Sequence, residues 1–303
     1  DAGWYGPEMK VSSSALQVAA NRDFSMPDIC AYAASKGVGI WLYVNQRALY
    51  NQLDSILPLY KEWGVKGLKF GFVQVGGQQW TTWLHRAVEQ CAAYGLMVDI
   101  HDEYRPTGWS RTYPNLMTQE GVRGNEEMPD AWHNTVLPFT RYVAGPADYT
   151  LCYFNARVKN TKAHQLAMAV VYYSPLQFMF WYDKPDAYRG EAELDFWRHC
   201  PTVWDESLAI DGAPGEYIVQ ARRSGVAWYV GVLNGLDGRE LTLDTSLFTE
   251  KGKKYKVEIY TDDPSMKTRT NVRTELKTVR GGKPLQLRLQ PSGGAALRFV
   301  PAE

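Results

Sequence analysis

A repeated order of helix, glycine and strand in the first third of the chain limits the folds it can adopt. Amphipathic helical segments end at Gly37, Gly64 and Gly95, and each leads into an apolar segment predicted to be a strand, over 38–44, 68–73 and 97–101. The repeat is about 30 residues long, the size of one β-α-β unit. Consecutive units of this kind place their strands in parallel. A doubly wound sheet and a (β/α)8 barrel both fit this pattern.

Polar residues follow the predicted strands, and this placement favours the barrel. Barrel enzymes carry their chemistry at the carboxyl ends of the strands and in the loops beyond. The residues that stand in such positions are Asp1, Asn45, Gln74, Asp102 and Asp148. A helix over 163–173 and a strand over 175–178 are predicted as a later unit. The first residues resemble the end of a strand, so we expect a barrel whose N-terminal part is missing.

The pattern changes after residue 206. Short β-rich segments over 217–221, 227–231 and 255–259 are separated by turns of Gly, Asp and Lys, and 285–289 alternates apolar and polar residues. These features predict a small antiparallel β-sandwich. The chain is therefore predicted to be an α/β protein, with an incomplete (β/α)8 barrel over 1–209 and a β-sandwich over 210–303.

Charge and composition exclude several classes of partner. Lys+Arg and Asp+Glu both number 33, and this balance argues against nucleic acid, which requires a basic excess. No apolar stretch is long enough to span a membrane, and no signal peptide is visible. The four cysteines are widely spaced and form no metal or redox motif, so they are expected to be buried free thiols.

Acidic residues are concentrated around the third and fourth predicted strands. Five of them fall within 26 positions: Asp102, Glu103, Glu120, Glu126 and Glu127. Glycoside hydrolysis requires one protonated carboxyl and one carboxylate, and calcium also requires hard oxygen ligands. The same acids are equally consistent with exposed loop residues paired with Arg105, Arg111 and Arg123. The pattern alone leaves these readings open.

Longer motifs at these residues resemble glycoside hydrolase family 97. They read HDEYRPTGWSRTYPNL, QEGVRGNEE, LPFTRYVAGPADYT and SPLQ, and PTVWDES and PGEYIVQARR extend the likeness into the C-terminal part. Members of this family are exo-acting α-glucosidases, α-galactosidases and related enzymes. The resemblance implies an oligosaccharide or α-glycoside substrate, a calcium ion and a periplasmic or secreted location. It also implies that an N-terminal β-domain and the start of the barrel lie outside this chain.

The resemblance assigns roles to three acids. Glu126, in the motif Gly-Asn-Glu, matches the general acid, and Glu120 matches a calcium ligand. Asp102 stands where the inverting branch has a glutamate that serves as base and calcium ligand, and neighbouring Glu103 is a possible substitute. The implied metal set is therefore Glu120, Glu126 and Asp102, and the implied catalytic set is Glu126, Asp102 and Glu103.

One glycine bears on the stereochemistry. Retaining members of the family carry an aspartate nucleophile where this chain has Gly71. Glycine cannot form a glycosyl-enzyme bond, so the resemblance favours an inverting α-glycosidase. Two alternatives remain: a retaining enzyme with Glu103 as a displaced nucleophile, and a carbohydrate-binding protein with little or no turnover.

The remaining site candidates are residues expected at strand ends or in the following loops. We predict that the sugar pocket is lined by Asp1, Trp4, Asn45, Gln74, His101, Arg105 and Asp148. The sequence does not select the sugar. It also leaves the oligomeric state open, although the exposed edge of an incomplete barrel could pair with another chain.

Overall fold

The computed structural model describes residues 3–6 and 14–302 of the 303-residue chain. Asp1, one of the predicted site residues, lies outside these residues. The chain divides into two compact units. Unit 1 comprises residues 1–122 and 146–148, and unit 2 comprises residues 123–145 and 149–303.

Among the residues that the structure describes, unit 1 is built on a parallel sheet of four strands in the order β1-β2-β3-β4. Its elements are α1 (Met26–Ser35), β1 (Trp41–Asn45), α2 (Gln46–Trp63), β2 (Gly67–Gly71), α3 (Gln78–Ala93), β3 (Met97–Ile100) and β4 (Leu116–Gln119). Each strand pairs in parallel with the next one along the chain. The predicted β-α architecture is confirmed, and the sheet is consistent with part of a (β/α)8 barrel.

Local signals set the limits of these elements. Asn45 caps α2, because its side-chain oxygen accepts a hydrogen bond of 2.9 Å from the backbone N–H of Arg47. The helix ends at Gly64, whose φ of 83° is readily adopted by glycine. Strand β2 stops at Gly71, two residues earlier than predicted, because Phe72 turns into the left-handed region with a φ of 50°.

The core of unit 1 lies between the sheet and its helices. Every residue of β2 is buried, which is expected of a strand covered on both faces. Helix α2 contributes Leu49, Ile56 and Tyr60, all fully buried and spaced to share one face. This core holds the carboxyl ends of the four strands in place.

The described part of unit 2 combines three α-helices with eight antiparallel strands. The helices are α4 (Ala131–Val136), α5 (Lys162–Val171) and α6 (Asp195–His199). The strands are β5 (Glu206–Ala213), β6 (Tyr217–Ser224), β7 (Ala227–Asn234), β8 (Arg239–Leu243), β9 (Lys254–Asp262), β10 (Val272–Arg280), β11 (Leu285–Leu289) and β12 (Gly294–Pro301). The predicted helix over 163–173 corresponds to α5.

The strands form two sheets over a common core. One has six strands in the order β10-β9-β12-β7-β6-β5, and the other pairs β11 with β8. Leu241 and Leu287 of the small sheet share a hydrophobic cluster with Val230 and Leu297 of the large one. Helix α5, buried from Ala163 to Val171, packs against β7 and β12. The predicted antiparallel C-terminal domain is therefore confirmed.

The predicted strand over 175–178 is wrong. The segment forms no ladder: Pro175 lacks an N–H, and the side chain of Gln177 donates to the carbonyl oxygens of Ala169 and Tyr172 at the end of α5. The boundary at residue 209 stays a prediction, since the compact units divide the chain at other positions. Within the described ranges, none of the helices is both long and apolar enough to cross a membrane.

Candidate active site

The carboxyl edge of the unit 1 sheet carries a pocket of about 480 Å³. Four of its lining residues were predicted as site residues: Asn45, Gln74, Asp102 and Glu103. Three others were not predicted: Arg47, Phe72 and Val73. The strands bring these residues together because all four end at the same edge of the sheet.

Asp102 is held in an unusual conformation beside this pocket. Its φ is 59°, which is uncommon for a residue other than glycine. The carboxylate oxygen Oδ2 accepts a hydrogen bond of 2.9 Å from the backbone N–H of Val73. Glu103, the next residue, is exposed at the pocket. Asp102 is thus a fixed carboxylate, whereas Glu103 is open to solvent.

Phe72 is the aromatic side chain of this pocket that the sequence analysis missed. Its side chain is 55% exposed, although its neighbours in β2 are buried. An exposed ring beside carboxylates suits a sugar, whose C–H face stacks on aromatic rings. The sequence analysis had placed Phe72 inside a strand over 68–73, but the strand ends at Gly71 and Phe72 lies beyond it.

Gly71 is packed against a tyrosine. A Cβ built at this position would overlap the hydroxyl and ring of Tyr43, which project from the neighbouring strand β1. Any side chain at position 71 would therefore require Tyr43 to move. The space that a carboxylate would need at the end of β2 is already filled.

A buried group of charges lies behind the sheet edge. The amine of Lys69 contacts the carboxylates of Asp99, at 2.9 Å, and of Asp148. Burial favours the neutral amine, but the two carboxylates raise the pKa of Lys69 above its ordinary value. Burial raises the pKa of Asp99 well above its usual range, and Lys69 opposes that effect. Asp148 has no exposed surface. It therefore does not line the pocket, as the sequence predicted, but is a buried ion-pair partner of Lys69.

His101 and Glu120 form a second pair at the same edge. Nδ1 of His101 lies 2.9 Å from a carboxylate oxygen of Glu120 and 4.0 Å from Asp148. Both residues are nearly buried, with exposures of 6% and 7%. The imidazole is therefore positioned by acids on two sides, a role that fits the wall of a site.

The calcium prediction finds limited support in unit 1 alone. Calcium takes six to eight oxygen ligands, and the Glu120 carboxylate here faces a nitrogen of His101. The carboxylate of Asp102 is engaged by the Val73 N–H. The described residues of unit 1 therefore do not by themselves make an oxygen cage, and calcium stays a prediction.

Glu126 lies in unit 2 on a tightly fixed turn. Its neighbour Asn125 donates 3.0 Å from the backbone to the carbonyl of Tyr149 and 2.9 Å from the side chain to Gln165. The indole N–H of Trp181 donates to Oε1 of Glu126 over 2.6 Å. This donor fixes the direction of the Glu126 carboxylate. Trp181 is a second residue that the sequence analysis missed.

Two predicted site residues have other surroundings. Trp4 is 3% exposed, and its indole donates 2.8 Å to the carbonyl of Tyr43, so it packs in the core of unit 1 rather than lining the pocket. Arg105 is exposed and is not among the residues that line the pocket. Of the loop acids, Glu127 pairs with Arg123 at 3.0 Å on the surface, as the alternative reading of the acid cluster expected.

The described residues form parallel β-α units with carboxylates at the strand ends, followed by antiparallel strands, which is the architecture of a partial (β/α)8 barrel with a C-terminal β-domain. Two family models match the chain: residues 1–122 match the one described as "Glycoside hydrolase 97", and residues 203–300 match "Glycosyl-hydrolase 97 C-terminal, oligomerisation". The chain belongs to glycoside hydrolase family 97.

Curated relatives agree with this family. A "Retaining alpha-galactosidase" of Bacteroides thetaiotaomicron is 34% identical over 99% of this chain and 47% of its own length. A "Probable retaining alpha-galactosidase" of Streptomyces bingchenggensis is 32% identical over 98% of this chain and 46% of its own. The chain thus spans about half the length of the curated relatives it matches.

Solved structures show the same fold. Family 97 enzymes from Pseudoalteromonas sp. strain K8, in complex with panose and with acarbose, match with a TM-score of 0.87 and 28% identity. The match covers 99% of this chain and 52% of theirs. A β-arabinopyranosidase matches with a TM-score of 0.79 and 27% identity over 90% of this chain and 48% of its own. The same fold therefore occurs in enzymes whose names refer to different sugars.

Proposed function

We propose that the chain is the catalytic part of an exo-acting α-glycosidase that hydrolyses terminal α-linked sugars. The observation that carries this proposal is the pocket at the carboxyl edge of the parallel sheet, where Asp102 and Glu103 lie beside the exposed ring of Phe72. The relatives named as α-galactosidases and the related structures with bound oligosaccharides support an α-linked substrate.

The proposal assigns the chemistry to acids. Inverting hydrolysis requires a carboxyl that protonates the leaving oxygen and a carboxylate that accepts a proton from the attacking water. By family resemblance Glu126 has the first role, and its hydrogen bond from Trp181 would hold the carboxyl in one orientation. Asp102 and Glu103 are the candidates for the second role, and the exposed Glu103 has the freer carboxylate.

Inversion is the part of the proposal that depends on Gly71. The family resemblance places the retaining nucleophile at this position, and the ring of Tyr43 occupies the space that a side chain there would need. The names of the two curated relatives describe retaining enzymes, so the comparisons do not support inversion. Our inference therefore depends on this chain's own residues.

The first test follows the anomer released from an aryl α-galactoside and an aryl α-glucoside by NMR, with and without calcium. Initial β-anomer supports inversion. Initial α-anomer refutes it and makes Glu103 the candidate nucleophile. Loss of activity on calcium removal would support the proposed calcium dependence. The proposed periplasmic or secreted location is tested separately, by fractionation of the source cells.

A carbohydrate-binding protein without turnover is the second candidate. It is favoured by the carboxylate of Asp102, which is already bonded to the Val73 N–H and so is less available as a base. Titration calorimetry with the same sugars separates the two functions. Binding without product release, from a preparation that includes any N-terminal domain of the natural protein, would support this candidate.

A further inference from the structure

The side chain of Tyr43 lies across the end of strand β2. Tyr43 is the third residue of β1, and the register pairs it with Lys69 and pairs Asn45 with Gly71. The ring reaches beyond its own register partner, because a Cβ built on Gly71 would overlap the Tyr43 hydroxyl and ring. Gly71 is the last residue of β2, so the hydroxyl of Tyr43 stands at the carboxyl edge of the sheet.

The strand fixes the position of Tyr43 and leaves part of its surface accessible. Its neighbours Leu42 and Val44 are buried, whereas Tyr43 itself is only partly buried. The indole N–H of Trp4 donates a hydrogen bond of 2.8 Å to the backbone carbonyl oxygen of Tyr43. A phenol hydroxyl can both donate and accept a hydrogen bond. Tyr43 therefore offers a polar group on a fixed backbone.

The place of this hydroxyl is significant because of the face from which an anomeric carbon is attacked. The family resemblance puts the nucleophile of retaining members at residue 71. That nucleophile attacks from the face opposite the leaving group, and in an inverting enzyme a water molecule attacks from the same face. Of the atoms around the Cβ position of Gly71, the hydroxyl oxygen of Tyr43 is the nearest. It therefore stands beside the path of an attacking water.

We propose that the Tyr43 hydroxyl holds the attacking water during inverting hydrolysis of an α-glycoside. This role rests on the proposed function and deepens it. The hydroxyl forms a hydrogen bond with the water, and the carboxylate of Asp102 or Glu103 takes a proton from that water. The water oxygen bonds to the anomeric carbon as the bond to the leaving oxygen breaks, and Glu126 gives the leaving oxygen its proton.

Removing the hydroxyl alone separates this role from packing. Tyr43→Phe keeps a ring beside Gly71, so its urea unfolding midpoint should match that of the native enzyme. Its kcat on an aryl α-glycoside should fall about 10- to 100-fold with little change in KM, because the hydroxyl acts in the transition state. Tyr50→Phe is the matched control, since Tyr50 is a tyrosine of α2 that is 47% exposed, and it should keep native kinetics. An equal kcat for Tyr43→Phe and the native enzyme refutes the proposal.

A small anion tests the place of the water. Tyr43→Ala opens the space beside Gly71, and azide should then attack the anomeric carbon of an aryl α-glycoside. The new carbon–nitrogen bond forms as the aryl oxygen leaves with a proton from Glu126, and NMR should show the β-glycosyl azide. The native enzyme should release only free sugar. Equal yields of the azide product from both proteins refute the proposal, and if Tyr43→Ala does not fold, Tyr43→Phe decides the question alone.

The anomer released by the native enzyme separates failure of this role from failure of the proposed function. No sugar release, from a preparation that includes any N-terminal domain of the natural protein, refutes the proposed function. Initial α-anomer refutes inversion, and either result also overturns the role of Tyr43. Initial β-anomer together with an unchanged kcat in Tyr43→Phe refutes the role of Tyr43 alone. Initial β-anomer together with the expected fall in kcat supports both.

Discussion

Replacing Asp262 with asparagine is expected to reveal a pH dependence of stability that the native chain conceals. Asp262, the last residue of β9, accepts hydrogen bonds from the backbone N–H groups of Ala163, at 3.2 Å, and Gly294, at 3.0 Å. His164 of α5 is fully buried, and its Nδ1 lies 2.8 Å from the carbonyl oxygen of Gly293. Both side chains therefore lie where α5 meets the sheet of unit 2.

Burial shifts the two groups in opposite directions. It raises the pKa of Asp262 to about 6, so the contribution of this carboxyl to stability is complete below its unfolded value of 3.8 and is lost as the pH rises through 6. It lowers the pKa of His164 to about 4, so that contribution is complete above the unfolded value of 6.5 and is lost as the pH falls through 4.

The two contributions compensate each other. Between about pH 4 and 6 the folded pair holds one proton on Asp262, and the unfolded pair holds one proton on His164. In this pH range, unfolding therefore neither binds nor releases a proton at these two residues. Each change of pKa on folding corresponds to about 3 kcal/mol.

Urea unfolding at pH 4, 5, 6 and 6.5 measures this compensation. Asp262→Asn should gain about 3 kcal/mol of stability relative to its own value at pH 4 as the pH rises to 6.5, beyond any change in the native chain. His164→Asn should show the opposite slope. Asp237→Asn, at an exposed aspartate, is the control. The reasoning would be refuted if the difference in unfolding free energy between Asp262→Asn and the native chain stayed constant from pH 4 to 6.5.

Three further substitutions test the candidate site. Lys69→Met leaves two buried aspartates without their cation and should cost about 3–5 kcal/mol in unfolding free energy, measured by urea titration at pH 7. Gly71→Ala forces the ring of Tyr43 aside and should cost about 1–3 kcal/mol, measured in the same way. Trp181→Phe keeps an aromatic side chain but replaces the indole by a phenyl ring without the N–H donated to Glu126, and should lower kcat roughly tenfold with little change in KM.

A result that contradicts any of these three predictions has its own structural meaning. A Lys69→Met protein as stable as the native one would mean that its aspartates do not carry charge in the folded state. An unaffected Gly71→Ala protein would mean that Tyr43 is easily displaced and that the position tolerates a side chain. A rise in KM alone for Trp181→Phe would place the indole in substrate binding rather than in positioning Glu126.

The helices and parallel strands of unit 1 were predictable because their signals are local. The apolar face of α2 repeats at helical spacing, and the helix stops at Gly64, where the left-handed conformation favours glycine. The strand over 175–178 was not predictable in the same way. Its apolar residues fit a strand, but the side chain of Gln177 closes the end of α5 instead.

The site was predictable in part. Asn45, Gln74 and Asp102 were selected because they follow strands, and parallel strands end at one edge, so their shared pocket follows from the topology. Trp181 could not be found by this reasoning. It lies 55 positions from Glu126 and in no motif that links the two, so only the folded chain reveals the bond between them.

The order of parallel β-α units followed by antiparallel strands, and the concentration of acids, could be read from the residues alone, because they depend on residue periodicity and type. Tertiary structure decided which polar residues face the pocket and which are buried. Asp148 follows the same sequence pattern as Asp102, yet it lies buried against Lys69. Burial and charge pairing are set by residues distant along the chain, and spacing alone does not encode which of them meet.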